Sequence, residues 1–205
     1  AYWTSPHADE EGTQPVGLKL PNDWGLYDMS GNVWEWCQDW YGDYPSGPIV
    51  DPNGQQTGWY RVLRGGCWFD DAGYCRSARR YSWMPDDLGH DLGFRLVFSR
   101  TPSAGPTPTF TPTPTPKVTD TPTPTPTLTP KPSDFTGETI TIPLDLPDGA
   151  KPLEMILIPA GTFTMGSPSG EKDRDSDETQ HEVTISRDFY MGKYEVTQAQ
   201  WEAVM

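Results

Sequence analysis

Residues 25–41 read GLYDMSGNVWEWCQDWY, and we interpret the rest of the chain as support for this stretch. Three tryptophans, Trp34, Trp36 and Trp40, lie within seven residues, with two carboxylates set among them. Burial of tryptophan is strongly favourable, but each buried indole N–H needs a hydrogen-bond partner. A buried carboxylate likewise needs a cation, a metal ion or several donors beside it. We therefore expect the rest of the chain to pack around this stretch.

The turn that precedes the tryptophans has the residue types of a cation-binding loop. Aspartate can bond to its own backbone, as Asp28 would, and glycine and asparagine, here Gly31 and Asn32, tolerate positive φ angles. A tight turn directs its carbonyl groups inward, so Asp28, Glu35 and the carbonyls between them predict an all-oxygen cage for Ca²⁺. The alternative is a structural turn in which Glu35 accepts hydrogen bonds from indole or backbone donors.

Charge and length exclude several classes of protein. A chain of 205 residues can hold one or two domains. A net charge of −14 argues against nucleic-acid binding, which needs a basic face, and suits an exported or surface-exposed acidic protein. No apolar run reaches the roughly 18–20 residues of a membrane span, so we expect none in this piece of a longer protein.

A change of composition divides the chain. Residues 101–133 repeat threonine and proline and hold nearly half of the chain's 23 prolines. Such a tract favours polyproline II geometry at about 3.1 Å per residue, on the order of 100 Å when extended. We predict a partial domain over 1–100, a linker over 101–135 and a second partial domain over 136–205. Docking of the two partial domains on each other is the less favoured alternative.

Local patterns predict the main elements of both segments. Weak alternation predicts strands near residues 60–68 and 92–98, and the apolar run 155–158 predicts another. The acidic run 171–182 is interpreted as a solvated loop. Residues 197–200, TQAQ, have the pattern of a capping box, which predicts the start of a helix.

One short basic run has two interpretations. Residues 75–80 read CRSARR and place three arginines close to tryptophan and aspartate side chains in the sequence. They suit either paired ion bridges and ring stacking or a solvated basic patch, and the sequence leaves both open.

Several sequence blocks together resemble one known family. GLYDMSGNVWEWCQDWY, RVLRGGCWFDDAGYCRSARR and DLGFRLV, in this order, resemble the C-terminal half of the formylglycine-generating enzyme (sulfatase-modifying factor) family. IPAGTFTMGS, HEVTIS and FYMGKYEVTQAQW resemble the N-terminal part of a second copy, and the middle section of the family is absent from both. The resemblance implies an α+β fold related to C-type lectins, with little regular secondary structure and incomplete domains.

The resemblance also implies a chemistry. Oxidases of the family use copper and oxygen to convert a substrate cysteine to formylglycine, with two cysteines in a C-x4-C arrangement; soft thiolates suit Cu(I). Counting from Gly66 without gaps, Cys75 falls on the second of these positions and Asp70 on the first. Cys67 stands where the family usually has serine, so the pair present is C-x7-C. The catalytic pair is therefore not intact, and whether this protein is an enzyme stays open.

Two functions follow from the resemblance. The first is an oxidoreductase that uses Cys75 and Cys67, with copper as cofactor and with Trp34 and Arg80 lining the pocket. The resemblance also carries the Ca²⁺ site over, with Asp28, the carbonyls of Gly31 and Val33, and Glu35 as ligands.

The second function is a non-catalytic binding module on the same fold. In this interpretation an aromatic surface around Trp34, Trp68 and Trp83 holds a glycan or peptide. The Thr/Pro tract suits an extracellular or cell-surface bacterial protein with tandem domains.

The cysteines have three possible states. A structural disulfide between Cys37 and Cys75 is favoured for an exported domain. The alternatives are three reduced, buried thiols, and a redox or copper pair of Cys67 and Cys75.

Overall fold

A computed structural model describes residues 12–99 and 135–205, which form eleven strands and one short helix. In chain order they are β1 (Trp34–Trp40), β2 (Ile49–Val50), β3 (Arg61–Arg64), β4 (Tyr81–Trp83), β5 (Leu92–Phe94), β6 (Val97–Ser99), β7 (Thr139–Ile142), β8 (Leu153–Ile158), β9 (Gly161–Met165), β10 (His181–Ile185), β11 (Phe189–Gly192) and α1 (Gln198–Glu202). The predicted α+β class with little helix is confirmed.

The tryptophan-rich strand β1 lies inside a four-stranded sheet with the order β4-β3-β1-β5. It runs antiparallel to β3 and parallel to β5. Side chains two residues apart on a strand share a face, and Trp34 and Trp36 accordingly pack in one cluster with the buried Leu63 and Cys67. Trp68, Trp83 and Leu92 pack against the same cluster, so the stretch that the sequence singles out does organise this core.

The other two sheets each contain strands from both ends of the chain. One has the order β2-β10-β9 and the other β6-β11-β8-β7. A second core of Leu153, Met155, Leu157 and Tyr190 lies on the latter. The segments 12–99 and 135–205 therefore pack as one body, contrary to our expectation that they stay apart. Without β6, strand β11 would leave an unpaired edge, which is unfavourable for a sheet.

The predicted strand over 92–98 is divided in two. β5 pairs with β1, whereas β6 pairs with β11 in a different sheet. Two residues lie between them, and the first, Arg95, is buried. Its guanidinium donates to Glu35 and to the carbonyls of Tyr27 and Gly192, so it links the two segments at the point where the chain changes sheet.

The predicted capping box is confirmed. The Gln200 amide donates to Thr197 Oγ1 at 3.3 Å, and the Thr197 amide donates to Gln200 Oε1 at 3.1 Å. The strand predicted at 155–158 lies within β8.

Two further predictions concern the linker and membrane-spanning segments. The Thr/Pro spacer over 101–133 lies outside the described residues. Within 12–99 and 135–205, no helix combines the length and the apolar character that crossing a membrane requires.

Candidate functional site

The turn before β1 brings buried polar groups together. Asp28 and Asn32 have φ angles of 56° and 71°, and both side chains are buried. Gly17 N–H donates to Asp28 Oδ2 at 2.7 Å, whereas Asp28 Oδ1 is buried without a hydrogen-bond partner among the described residues. Asn32 Nδ2 donates to Glu195 Oε2 at 2.7 Å. The predicted positive-φ turn is thus present, and it contacts the second segment.

Three carboxylates surround this turn, with one guanidinium to balance them. Arg95 Nη2 lies 2.7 Å from Glu35 Oε1 and Arg95 Nε 3.1 Å from Glu35 Oε2. Burial raises the pKa of Glu195 to about 8, and the charges of Glu35 and Asp28 act in the same direction. Glu195 Oε1, like Asp28 Oδ1, is buried without a partner within the described ranges. Asp28 and Glu35 therefore do not point apart into solvent.

The metal-binding capacity of this turn depends on carbonyl groups. No three His, Cys, Asp or Glu side chains within 12–99 and 135–205 form a group that could hold a metal ion. The ligand set expected from the family contains only two carboxylates, Asp28 and Glu35, with the carbonyls of Gly31 and Val33. Its donors are all oxygen, which is what Ca²⁺ prefers, and the unpartnered Asp28 oxygen leaves a lone pair for such an ion.

Two of the three cysteines lie around Asp70. Cys67 Sγ donates to Asp70 Oδ2 at 3.1 Å, and the same oxygen accepts the Cys67 backbone N–H at 2.9 Å. Cys75 Sγ lies so close to Gly66 that a Cβ there would be 2.7 Å from it. Gly66 also has a φ of 75°, so glycine is required at this position. The structure thus brings together the two predicted catalytic cysteines.

The surroundings of these cysteines favour thiols over thiolates. Burial raises the pKa of Cys67, as does its hydrogen bond to Asp70. Burial also raises the pKa of Cys75, with the charge of Asp70 acting in the same direction. For Cys37, burial raises the pKa to about 11 although Arg64 opposes this. A thiolate is the nucleophile and the metal ligand, so none of the three is activated for either role.

The favoured disulfide between Cys37 and Cys75 is wrong, because all three cysteines are free. Cys37 lies on β1 beside Arg64, whereas Cys75 lies against Gly66. We predict that intact protein denatured without reductant can be alkylated at three thiols and that prior reduction adds none. Electrospray mass spectrometry with and without reductant measures this. Two additional alkylations after reduction would contradict the structure.

The aromatic surface predicted around Trp34 does not include Trp34 itself. Trp34 is only 4% exposed and packs on Tyr74 and Tyr81, with ring centroids 6.4 and 5.5 Å away. Trp68 and Trp83 pack against the same core but stay partly exposed. Since sequence alone cannot distinguish a buried indole from a ligand-binding one, Trp34 is corrected from a binding residue to a core residue.

Arg80 lines a cavity to which Cys67 and Cys75 do not contribute. A cavity of ≈ 430 Å³ lies where the two segments meet, and neither Cys67, Cys75 nor Trp34 lines it. Arg80 stacks on Tyr44, with 4.0 Å between Cζ and the ring centroid, and donates to the Gly42 carbonyl at 2.8 Å. The structure therefore separates Arg80 from the other predicted catalytic residues.

The cavity wall combines aromatic rings with polar side chains from both segments. The His181 ring lies 4.5 Å from that of Tyr44, and its Nδ1 lies 3.0 Å from the Thr179 carbonyl. The Arg61 guanidinium covers Trp40 at 3.5 Å from the ring centroid. Asp39, Asp43, Asn53, Gln55 and Arg64 complete the polar part of the wall.

An ionic network beside this cavity joins the two segments. Arg76 binds Glu178 with contacts of 2.6 and 2.8 Å and also binds Glu171 at 3.1 Å. Arg80 Nη2 lies 2.8 Å from Asp177 Oδ2. Of the two interpretations of the basic run, ion bridges are therefore the one observed. The interpretation of 171–182 as a solvated loop is wrong for Glu178, which is fully buried.

Three buried residues at these candidate sites, Glu178, His181 and Glu195, were not predicted from the sequence. Glu195 had a weak local signal, since it lies directly between Tyr194 and Val196. Glu178 and His181 had none, because their burial depends on a segment more than 80 residues away.

Most of this chain matches a known protein family. The family described as Sulfatase-modifying factor enzyme 1-like domain matches residues 1–100 and 146–205. The chain belongs to this family. The predicted family and its fold are therefore confirmed for both parts of this sulfatase-modifying-factor-like chain.

Similar proteins match over part of their length. The formylglycine-generating enzyme of Streptomyces coelicolor is 46% identical over 102 residues, which are 45% of this chain and 32% of that protein. Serine/threonine-protein kinase pkn1 of Chlamydia pneumoniae is 47% identical over 81 residues, 38% of this chain and 13% of that protein. Treponema denticola variable protein 1, a solved structure, is 44% identical with a TM-score of 0.39, over 41% of this chain and 31% of that one. The chain thus spans about a third or less of these proteins.

Proposed function

We propose that this sulfatase-modifying-factor-like chain is a non-catalytic ligand-binding module. The observation that carries this is Asp70, which stands where the oxidases have their first catalytic cysteine and accepts a hydrogen bond from Cys67 Sγ. A carboxylate is a hard ligand and a poor partner for Cu(I), and the buried Cys67 and Cys75 are held as thiols. The residues present therefore do not fit the copper pair of the oxidases.

The ligand site of this module is the cavity between the segments. Ligand sites combine apolar and aromatic walls with a few placed polar groups, and Trp40 and Tyr44, each stacked against an arginine, supply aromatic groups to the wall beside Asp39 and Arg80. Such a wall suits a glycan, whose ring offers C–H groups to an aromatic face and hydroxyls to polar side chains. A glycan ligand also agrees with the extracellular bacterial location that the Thr/Pro tract predicts.

A glycan array with the intact chain tests this proposal. We expect Trp40→Ala to weaken binding of any glycan hit at least tenfold, since aromatic anchors in pockets dominate binding energies. Trp59→Ala is the matched control, because Trp59 is 85% exposed and lies outside the cavity wall. Equal affinities of the Trp40 variant and the parent chain would contradict the assignment of the cavity, and binding of peptides in place of glycans would change the ligand class.

Oxidoreductase activity is the second candidate, favoured by the proximity of Cys75 to Cys67 through Gly66. Its test is copper-dependent oxygen consumption with a CxPxR peptide. We expect no consumption above that of the copper-free protein. Activity that Cys75→Ala abolishes would replace the binding module by an oxidase.

We also propose that the turn before β1 binds Ca²⁺ through Asp28, Glu35 and the carbonyls of Gly31 and Val33. The ion would offset the carboxylates that crowd around Glu195. A chelator should therefore lower the melting temperature by about 5–10 °C, the shift expected for a ligand at a hundredfold excess over its dissociation constant.

Differential scanning calorimetry measures this effect, with readdition of Ca²⁺ and of Mg²⁺ as the comparison. Recovery with Ca²⁺ alone supports the site. Glu35→Gln should reduce the chelator effect, whereas Glu138→Gln, outside the turn, should not. An unchanged melting temperature in chelator would contradict calcium binding.

A further inference from the structure

The two described segments meet through shared sheets. β6 of the first segment pairs antiparallel with β11 of the second, and β2 pairs in parallel with β10. Both β10 and β11 are inner strands of their sheets. The first segment therefore supplies an edge strand to each of the two sheets of the second segment, as in strand-addition complexes between separate chains.

Charge complementarity adds specificity to this meeting. Three arginines of the basic run form ion pairs with three carboxylates of the acidic loop. The pairs are Arg76–Glu178, Arg79–Asp175 and Arg80–Asp177. The Arg76 and Glu178 side chains are 14% and 0% exposed. Partly buried pairs of this kind fix register and suppress wrong partners. Residues 135–205 therefore present the surface that is complementary to residues 12–99.

The connection between the segments gives little advantage to docking within one chain. β6 and β7, which flank the Thr/Pro tract in sequence, are the two edges of one four-stranded sheet. Three strand spacings separate them, about 14 Å. The Thr/Pro composition of the tract predicts a length on the order of 100 Å when extended, which is far more than this span. Excess linker length lowers the effective concentration of the tethered partner.

We propose that residues 135–205 of one copy of this chain complete the domain formed by residues 12–99 of a second copy. The reciprocal exchange gives a two-fold dimer in which the β6–β11 and β2–β10 pairings and the ion pairs of the basic run are made between copies. The ligand cavity is then shared, because Trp40, Tyr44 and Arg80 come from one copy and His181 and Met165 from the other. This assembly does not depend on what the cavity binds.

A charge-exchange experiment on the full chain tests the proposal. One variant carries Arg76→Glu and the other Glu178→Arg, with different affinity tags. Within either variant alone, both docking modes bring like charges together. In a mixed swapped dimer, one domain has the original pair and the other has the reversed pair. Co-refolding the two variants should therefore give at least tenfold more heterodimer than homodimer of either, measured by native mass spectrometry.

If the Glu178→Arg variant does not fold, the wild-type chain provides a second test. Two tagged wild-type preparations that are refolded together should give dimers in a 1:2:1 ratio of tag combinations, with a dimer fraction that rises with concentration. A folded chain that stays monomeric up to millimolar concentration would overturn the proposal. So would a wild-type dimer that Arg76→Glu leaves unchanged, since it would use another surface.

Discussion

Replacing Arg76 with methionine is expected to lower the free energy of unfolding by about 3–5 kcal/mol, the typical cost of removing one partner of a buried ion pair. Glu178 is fully buried and accepts two hydrogen bonds from Arg76, with contacts of 2.6 and 2.8 Å. Methionine keeps most of the side-chain volume of arginine but none of its donors. The carboxylate would then keep the Ser167 hydroxyl at 2.6 Å as its main remaining partner.

Urea unfolding followed by tryptophan fluorescence measures this loss. Lys172→Met is the matched control, because Lys172 is 92% exposed and its nearest carboxylate, on Asp173, is 3.9 Å away. Such surface pairs contribute about 0–1 kcal/mol, so the control should be close to the parent chain. Equal stabilities of the Arg76 variant and the control would mean that the two segments do not meet through this pair.

The same pair predicts a pH dependence. Burial alone would raise the pKa of Glu178, but hydrogen bonds from Arg76 and Ser167 lower it below its ordinary value of 4.5. An acid whose pKa is lower in the folded state contributes stability above its unfolded pKa and loses it as the pH falls through the folded pKa. The parent chain should therefore lose stability on acidification below about pH 4.5, and the Arg76 variant should lose less.

Features that depend on neighbouring residues could be predicted from the sequence. The positive-φ turn at Gly31 and Asn32, the strand at 155–158 and the capping box at Thr197 all follow from local residue types. The family also followed from local blocks, because each block holds its own pattern. The structure and the family match agree with these predictions.

Features that depend on distant residues could not be predicted. Whether the 75–80 run is solvated or paired depends on Glu178, about a hundred residues later, and nothing in either run alone indicates the other. The tryptophans posed the same problem: Trp34 is buried because Tyr74 and Tyr81 cover it, so it cannot serve as a binding surface. The disulfide prediction failed because it relied on the type of compartment and not on the distance between the cysteines.

The second large effect is expected at Glu195, where replacement by glutamine should stabilise the protein in chelator at alkaline pH. Glu195 is 3% exposed, and burial with the nearby charges of Glu35 and Asp28 raises its pKa to about 8. Glutamine keeps an acceptor for Asn32 Nδ2, now 2.7 Å from Glu195 Oε2, and removes the charge. Since one pKa unit corresponds to about 1.4 kcal/mol, the gain above pH 8 should be a few kcal/mol.

The gain should disappear in acid, because the pKa of Glu195 is raised in the folded state. Below its ordinary value of 4.5 the carboxyl is neutral in both states, and its stabilising effect relative to alkaline pH is fully present. That stability is lost as the pH rises toward about 8, where the folded-state carboxyl ionises, and it changes no further above this pH. The glutamine variant should lack this decline.

Thermal unfolding from pH 4 to 9 in chelator distinguishes this account from a simple packing effect. Glu182→Gln is the control, because Glu182 is exposed on β10 and should change stability by no more than about 0.5 kcal/mol at any pH. Added Ca²⁺ should reduce the advantage of the Glu195 variant, since a cation bound by Asp28 and Glu35 offsets the charges that oppose ionisation of Glu195. A Glu195→Gln variant that is less stable than the parent chain at every pH would show that Glu195 is held as a paired anion. The carboxylates around the turn would then not raise the pKa of Glu195, and this account would be wrong.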